Sequence, residues 1–211
     1  MKPAETRSDL LQQLAEVGRL AVASGLALAS GGNLSARLPG SDEFVVTGAG
    51  TWLDRLTDAD FSVMTLDGEV IGGAERPSSE WKLHQRTYRV RADVNAVVHL
   101  HPQHAVLVDA LGHPIRLITL DHAFYVRSVG TVPYFPNGSD ELADSAAAEA
   151  EQHDCVVLSH HGCSTLGSDV AMAYRRALNL EEAATATYRC LAVGDTACTF
   201  PPDAFTALHH G

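Results

Sequence analysis

The stretch Asn95-Ala96-Val97-Val98-His99-Leu100-His101-Pro102 is an apolar, β-prone run that ends on two histidines two positions apart. Successive side chains of a strand point to opposite faces, so both imidazoles face the same side. A second apolar run, Cys155-Val156-Val157-Leu158-Ser159, closes on His160-His161-Gly162, so another strand delivers histidine at its end. Neutral imidazole binds Zn²⁺ at about 2.0–2.1 Å, and three protein ligands with a fourth position for water or substrate are the pattern of a catalytic site. Taken alone, His-x-His also fits a pair of satisfied strand-end histidines, and local spacing does not fix a third ligand.

Just upstream lies Pro77-Ser78-Ser79-Glu80-Trp81, continued by Lys82-Leu83-His84-Gln85-Arg86-Thr87-Tyr88. The spacing of Trp81, Thr87 and Tyr88 and the serine cap predict a helix over Ser78–Val90. A carboxylate, Glu80, therefore opens a helix shortly before the histidine strand. Nearer the start stands Ser30-Gly31-Gly32-Asn33-Leu34-Ser35. In both segments small residues permit close backbone approach, while hydroxyls, an amide and helix N-terminal N–H groups can receive a phosphate. An ordinary turn and an ordinary N-cap are the competing readings of the same residues.

The chain has 211 residues, 45% of them hydrophobic, enough for a sizeable core in one globular domain spanning 1–211. Lysine plus arginine number 15 against 26 acidic residues, a formal net charge of −11 with no basic stripe. That argues against nucleic-acid and anionic-membrane partners. No signal-peptide pattern is visible and no apolar stretch approaches the roughly 18 residues that span a bilayer, so a cytoplasmic protein is expected. Cys155, Cys163, Cys190 and Cys198 contain no Cys-x-x-Cys pair and are read as reduced thiols rather than a thiolate metal site.

Apolar residues Leu10, Leu11, Leu14, Val17, Leu20 and Ala21 recur at intervals of three and four and predict a helix over Ser8–Ala23, stopped by Gly25. Short β runs follow at Leu34–Leu38, Glu43–Thr47, Ser62–Leu66 and Glu69–Ile71, the last two joined by the hairpin signal Asp67-Gly68. Beyond the Ser78–Val90 helix the pattern alternates. Strands are predicted over Ala96–His101, Ile115–Leu120, Val129–Tyr134, Val156–Ser159 and Cys163–Leu166, and helices near Gln103–Leu111, Ser139–Gln152 and Ser168–Leu191. Interleaved strands and helices imply an α/β domain with a central mixed or antiparallel sheet covered by helices. The tail from about residue 195, ending in His209-His210-Gly211, is expected to be flexible and without ligand partners.

Four separated motifs, Ser30-Gly31-Gly32-Asn33, Ser78-Ser79-Glu80-Trp81, His99-Leu100-His101 and His160-His161-Gly162, occur in an order that resembles the class II aldolase/adducin family over roughly residues 8–192. The resemblance implies a three-layer α/β/α fold with a mixed, largely antiparallel sheet, assembled as a homotetramer with active sites near subunit interfaces. It implies Zn²⁺ on His99, His101 and His161, Glu80 as acid/base, and phosphate contacts from Gly32, Asn33, Gly50, Ser78 and Ser79. Lys82 is read as a solvent or phosphate contact, and His84 and His104 as supporting or packing residues. His160 is expected to turn away from the site.

Two departures from the family pattern stand out. The third phosphate loop has Ala49 before Gly50 where a hydroxyl residue is usual, leaving Thr47 or Thr51 to compensate. The tyrosine that moves a proton at the aldehyde-side oxygen across a subunit interface is missing from Thr119-Leu120-Asp121-His122-Ala123-Phe124-Tyr125, so Asp121, His122 or Tyr125 is expected to take its place, unless the segment is merely a turn. The activity implied is zinc-dependent cleavage of a ketose 1-phosphate, similar to L-fuculose 1-phosphate, to dihydroxyacetone phosphate and an aldehyde through a metal-stabilised enediolate. Epimerisation at C4, dehydration and decarboxylation of sugar phosphates are the alternatives within the same superfamily, and a non-catalytic adducin-like module is another.

Overall fold

In the computed structural model the described residues are Ala4 and 6–210, without the side chains of His209 and His210. The expectation for the terminal His209-His210-Gly211 therefore lies largely outside the described residues. Helix α1 (Arg7–Ala23) starts on a Thr6/Asp9 capping box and buries Leu10, Leu14, Val17 and Ala21, the apolar stripe of the sequence. Gly25, at φ +74°, ends it as expected, with the N–H of Leu26 bonded back to Ala21. Strands β1 (Asn33–Ala36), β2 (Glu43–Thr47), β3 (Phe61–Thr65) and β4 (Val70–Gly73) then form an antiparallel meander, turned between β3 and β4 at Asp67-Gly68. Helix α2 (Trp81–Val90), strand β5 (Ala96–Leu100) and helix α3 (Gln103–Ala110) follow. After them come β6 (Val129–Val132), α4 (Asp140–Ala150), β7 (Cys155–Leu158), β8 (Gly162–Gly167), α5 (Val170–Ala192) and α6 (Pro202–His210).

All eight strands join one sheet in the order β4-β3-β2-β1-β5-β8-β7-β6, antiparallel throughout except for the β6–β7 pair. This is the mixed, largely antiparallel sheet expected. Period-two alternation sorts its side chains to two faces. Leu34, Ala36, Val45, Val63, Ala96, Val98 and Leu100 pack on one face against α1 and α5, with Cys155, Val157 and Cys163 continuing that face under α3 and α5. Phe44, Val46, Met64, Val97 and Leu166, then Val132, Val156 and Leu158, pack on the other face beneath α2 and α4. Helices on both faces make the three layers. Among the described residues no helix is long and apolar enough to cross a membrane.

Two local expectations are corrected. The Ile115–Leu120 run is not a strand: Ile115 and Leu117 pack on the α3/α5 cluster, and the N–H groups of Ile118 and Thr119 bond to His122 Nδ1 instead of to a neighbouring strand. His122–Val126 then forms a π-helical turn ending on Arg127 at φ +63°. Helix α2 begins three residues later than expected, because Ser78 Oγ accepts from the Glu80 N–H in a local turn rather than capping a helix. Past residue 195, Phe200 N–H bonds to Leu117 O and residues Pro202–His210 are helical.

Candidate metal centre

Strand β5 delivers His99 and His101 to the face covered by α2, as the two-residue spacing requires. His101 lies just past the strand, its N–H bonded to Leu26 O. His161 comes from the three-residue turn between β7 and β8, where Leu158 pairs with Gly162 and His160 adopts φ +59°. That left-handed residue, rather than strand alternation, turns His160 to solvent and His161 inward. The three rings stand with centroids 4.9–5.1 Å apart, and Glu80, at the head of α2, completes the cluster. One ligand-capable atom from each of Glu80, His99, His101 and His161 lies within 4.8 Å of the others.

The proton arrangement fits a cation. His99 Nδ1 is 3.0 Å from Cys163 O, and a carbonyl only accepts, so Nδ1 carries the proton and Nε2 faces the cluster with its lone pair. His99 Nε2 is 3.1 Å from His101 Nε2 and 3.1 Å from Glu80 Oε2, while His161 Nε2 is 3.4 Å from Glu80 Oε1. Glu80 Oε1 is buried and has no hydrogen-bond partner among the described residues. Burial pushes His101 down to about 4 and also lowers His161, which favours the neutral, metal-binding imidazoles. Burial alone would raise Glu80, but His99, His161 and the Asn33 amide outweigh it and hold the carboxyl well below its ordinary range. An unpartnered buried carboxylate oxygen beside the bare Nε2 of His99 and two further imidazoles is the donor set of a divalent metal.

A cleft opens above this cluster, lined by Gly32, Asn33, Gly50, Ser78, Ser79, Glu80 and His101 among others. Gly32 is required by geometry: its φ is +85°, and a Cβ would lie 2.7 Å from His99 O. Of the eleven site residues expected from the sequence, the structure gathers nine around the cleft or its floor, Gly32, Asn33, Gly50, Ser78, Ser79, Glu80, His99, His101 and His161. Neither threonine replaces the hydroxyl absent at Ala49, since Thr47 does not line the cleft and Thr51 Oγ1 donates its proton to Gly48 O.

Asp121 and His122 do not line this cleft. Asp121 is exposed on the π-helical turn. His122 is buried, its Nδ1 accepting from Ile118 and Thr119 N–H and its Nε2 directed at the Glu182 carboxylate. Lys82 is likewise absent from the cleft and pairs with Asp140 at 3.0 Å. His104 Nδ1 bonds to Glu181 at 2.8 Å. Asn137 lines the cleft and was not singled out by sequence; the Asn-Gly turn at 137–138 was the available signal.

The family described as Class II Aldolase and Adducin N-terminal domain matches residues 12–188. The L-fuculose phosphate aldolase of Methanococcus maripaludis is 34% identical over 178 residues, covering 84% of this chain and 96% of that protein. The 3-oxo-tetronate 4-phosphate decarboxylase of Haemophilus influenzae is 31% identical over 184 residues, covering 84% of this chain and 87% of that one. A solved L-fuculose 1-phosphate aldolase superposes with a TM-score of 0.90 at 26% identity, over 97% of this chain and 96% of that chain. The chain belongs to the class II aldolase and adducin family, and its aldolase relatives in sequence and in structure place it among the family's enzymes, the lyases.

Proposed function

We propose that the chain, acting as one domain over residues 1–211, is a zinc-dependent aldolase. Its reaction is reversible cleavage of a ketose 1-phosphate of the L-fuculose 1-phosphate kind to dihydroxyacetone phosphate and an aldehyde. The observation that carries this reading is the convergence of Glu80, His99, His101 and His161 on the floor of a cleft walled by small residues, hydroxyls and an amide. His99, His101 and His161 hold the metal, which when bound supplies a Lewis acid for the adjacent carbonyl and hydroxyl oxygens of the substrate.

The Gly32 and Gly50 N–H groups, the Ser78 and Ser79 hydroxyls and the Asn33 amide bind the phosphate and fix the three-carbon end. In the direction of addition, the ionised Glu80 takes a proton from C3 of dihydroxyacetone phosphate. The enediolate carbon attacks the aldehyde carbon, the C3–C4 bond forms, and the new C4 oxygen takes a proton from the 119–125 segment of a neighbouring subunit. In that step Asp121 is the exposed group and the buried His122 anchors the turn that carries it. Cleavage reverses each step. A homotetramer with clefts near its interfaces accords with the exposure of Leu28, Trp52, Leu120, Phe124 and Tyr134. Four free cysteines accord with a reducing, cytoplasmic setting.

One observation favours a second reading, decarboxylation of a 3-oxo sugar-acid phosphate. Loss of CO₂ needs no base to take the proton of a C4 hydroxyl, and this chain puts neither Asp121 nor His122 into its own cleft. The test is incubation of metal-analysed protein with L-fuculose 1-phosphate, L-rhamnulose 1-phosphate, L-ribulose 5-phosphate and a 3-oxo-tetronate 4-phosphate, with and without chelator. Chelator-sensitive release of dihydroxyacetone phosphate supports the aldolase; CO₂ release without it moves the assignment to the decarboxylase.

A further inference from the structure

Helix α2 and strand β1 meet along two different periodicities. On α2, Glu80, His84 and Tyr88 recur every four residues and share one face; on β1, Asn33 and Ser35 recur every two and share another. The faces interlock as a continuous buried chain. Asn33 Nδ2 is 2.9 Å from Glu80 Oε2, Asn33 Oδ1 meets His84 Nε2, His84 Nδ1 is 2.7 Å from Ser35 Oγ, and Ser35 Oγ is 2.6 Å from Tyr88 Oη. All five residues are almost completely buried, His84 and Ser35 entirely.

Only one proton order satisfies this chain when Glu80 is ionised and His84 is neutral. A carboxylate can only accept, so the Asn33 nitrogen faces Glu80 and its oxygen faces His84. His84 Nε2 must then carry the ring proton, Nδ1 must be bare, Ser35 must donate to it, and Tyr88 must donate to Ser35. Every donor points toward Glu80. Burial reinforces the neutral ring, pushing His84 down to about 3.

We propose that His84 is a positioning residue: by donating its Nε2–H to Asn33 Oδ1 it locks the amide with its nitrogen toward Glu80 and the cleft. Without that donor the Glu80 carboxylate alone orients the amide and Asn33 Oδ1 is left buried without its partner, so the lock loosens; a flipped Asn33 sets oxygen against oxygen at Glu80 and withdraws an N–H from the phosphate wall. The binding consequence rests on the sugar-phosphate reading of the cleft; the orientation itself does not.

The test uses the zinc-loaded, full-length protein. Long-range ¹H–¹⁵N correlation on histidine-labelled protein, with the His84 signal assigned by its loss in His84→Gln, is expected to show a proton on Nε2 and a bare Nδ1. A proton on Nδ1, or a charged ring, overturns the proposal. In parallel, calorimetric titration with dihydroxyacetone phosphate is expected to give binding about tenfold to a hundredfold weaker in His84→Leu, at unchanged zinc content. In His84→Gln, whose amide can donate to Asn33 and accept from Ser35, affinity should return to within about threefold of the wild type. A folded His84→Leu that binds like the wild type overturns the proposal. Should that variant not fold, His84→Gln decides, and binding more than about tenfold weaker overturns it. If the wild type itself does not bind dihydroxyacetone phosphate, the substrate reading fails while the tautomer still decides the positioning role.

Discussion

Gly162 lies against the ring of His101: a Cβ at position 162 would stand 2.7 Å from His101 Cδ2, 3.3 Å from His99 Cε1 and 2.4 Å from Leu100 O. The first residue of β8 is thus the floor on which two of the imidazoles rest. Gly162→Ala should displace both rings, weakening zinc binding by about tenfold or more and lowering stability by about 1–3 kcal/mol. Competition with a chromophoric chelator and thermal melts read the two effects. An alanine variant with wild-type zinc affinity would show that the rings tolerate the shift.

Removal of a ligand should do more than displace it. His99→Ala and His101→Ala are expected to lose zinc affinity by more than about a hundredfold while keeping the circular dichroism of the fold. Metal analysis after dialysis reads this directly, and one tightly held ion per chain in either variant refutes the ligand assignment.

Glu80 should separate metal binding from turnover. Glu80→Gln keeps the shape of the side chain and an oxygen for Asn33 but cannot take a proton, so zinc content should persist while kcat falls by about 10²–10⁴. Full turnover in a zinc-loaded Glu80→Gln would remove the acid/base role.

The buried histidine of α2 predicts acid sensitivity of the metal-free protein. Above its ordinary value of 6.5, His84 is neutral in both folded and unfolded chains, and its contribution is constant. Below 6.5 the unfolded chain takes a proton that the buried ring refuses, so stability falls by about 1.4 kcal/mol per pH unit until the folded value near 3 is reached. Glu80, held ionised, adds loss in the same direction as pH falls below its unfolded range. Urea melts of chelated protein from pH 7 to pH 4 should show this slope, and His84→Gln should flatten it. An identical slope in the variant would assign the acid sensitivity elsewhere.

At the π-helical turn, His122→Ala should leave the Ile118 and Thr119 N–H groups and the Glu182 carboxylate without their partner, lowering stability by about 1–3 kcal/mol. Asparagine places an acceptor near the position of Nδ1, so His122→Asn should recover much of the loss and retain turnover. Abolished activity in a stable His122→Asn would instead put the ring in the chemistry.

Much of this architecture is written in local pattern. The three-and-four spacing of α1 encodes burial on one face, and the short, nearly continuous apolar runs of β5 and β2 encode strands buried on both faces. The Ile115–Leu120 run misleads because its apolar residues are buried by α3 and α5 while its backbone finds a histidine instead of a strand. The metal residues are legible because imidazoles at strand ends form a chemically unusual set. The Asn33–His84–Ser35–Tyr88 chain is not, since each residue has an ordinary reading alone and only the packing of α2 on β1 joins them.

Both rims of the sheet are four-residue strands unsuited to further pairing. Beyond the last residue of β6 comes Pro133, which has no N–H to offer, and β4 meets β3 through an irregular register at Val63/Met64 and closes on Gly72-Gly73. Neither border presents a long, flat ladder to another chain. Association between copies is thereby steered away from edge-to-edge strand addition, with its open-ended route to fibres, and toward closed contacts made by helices and loops.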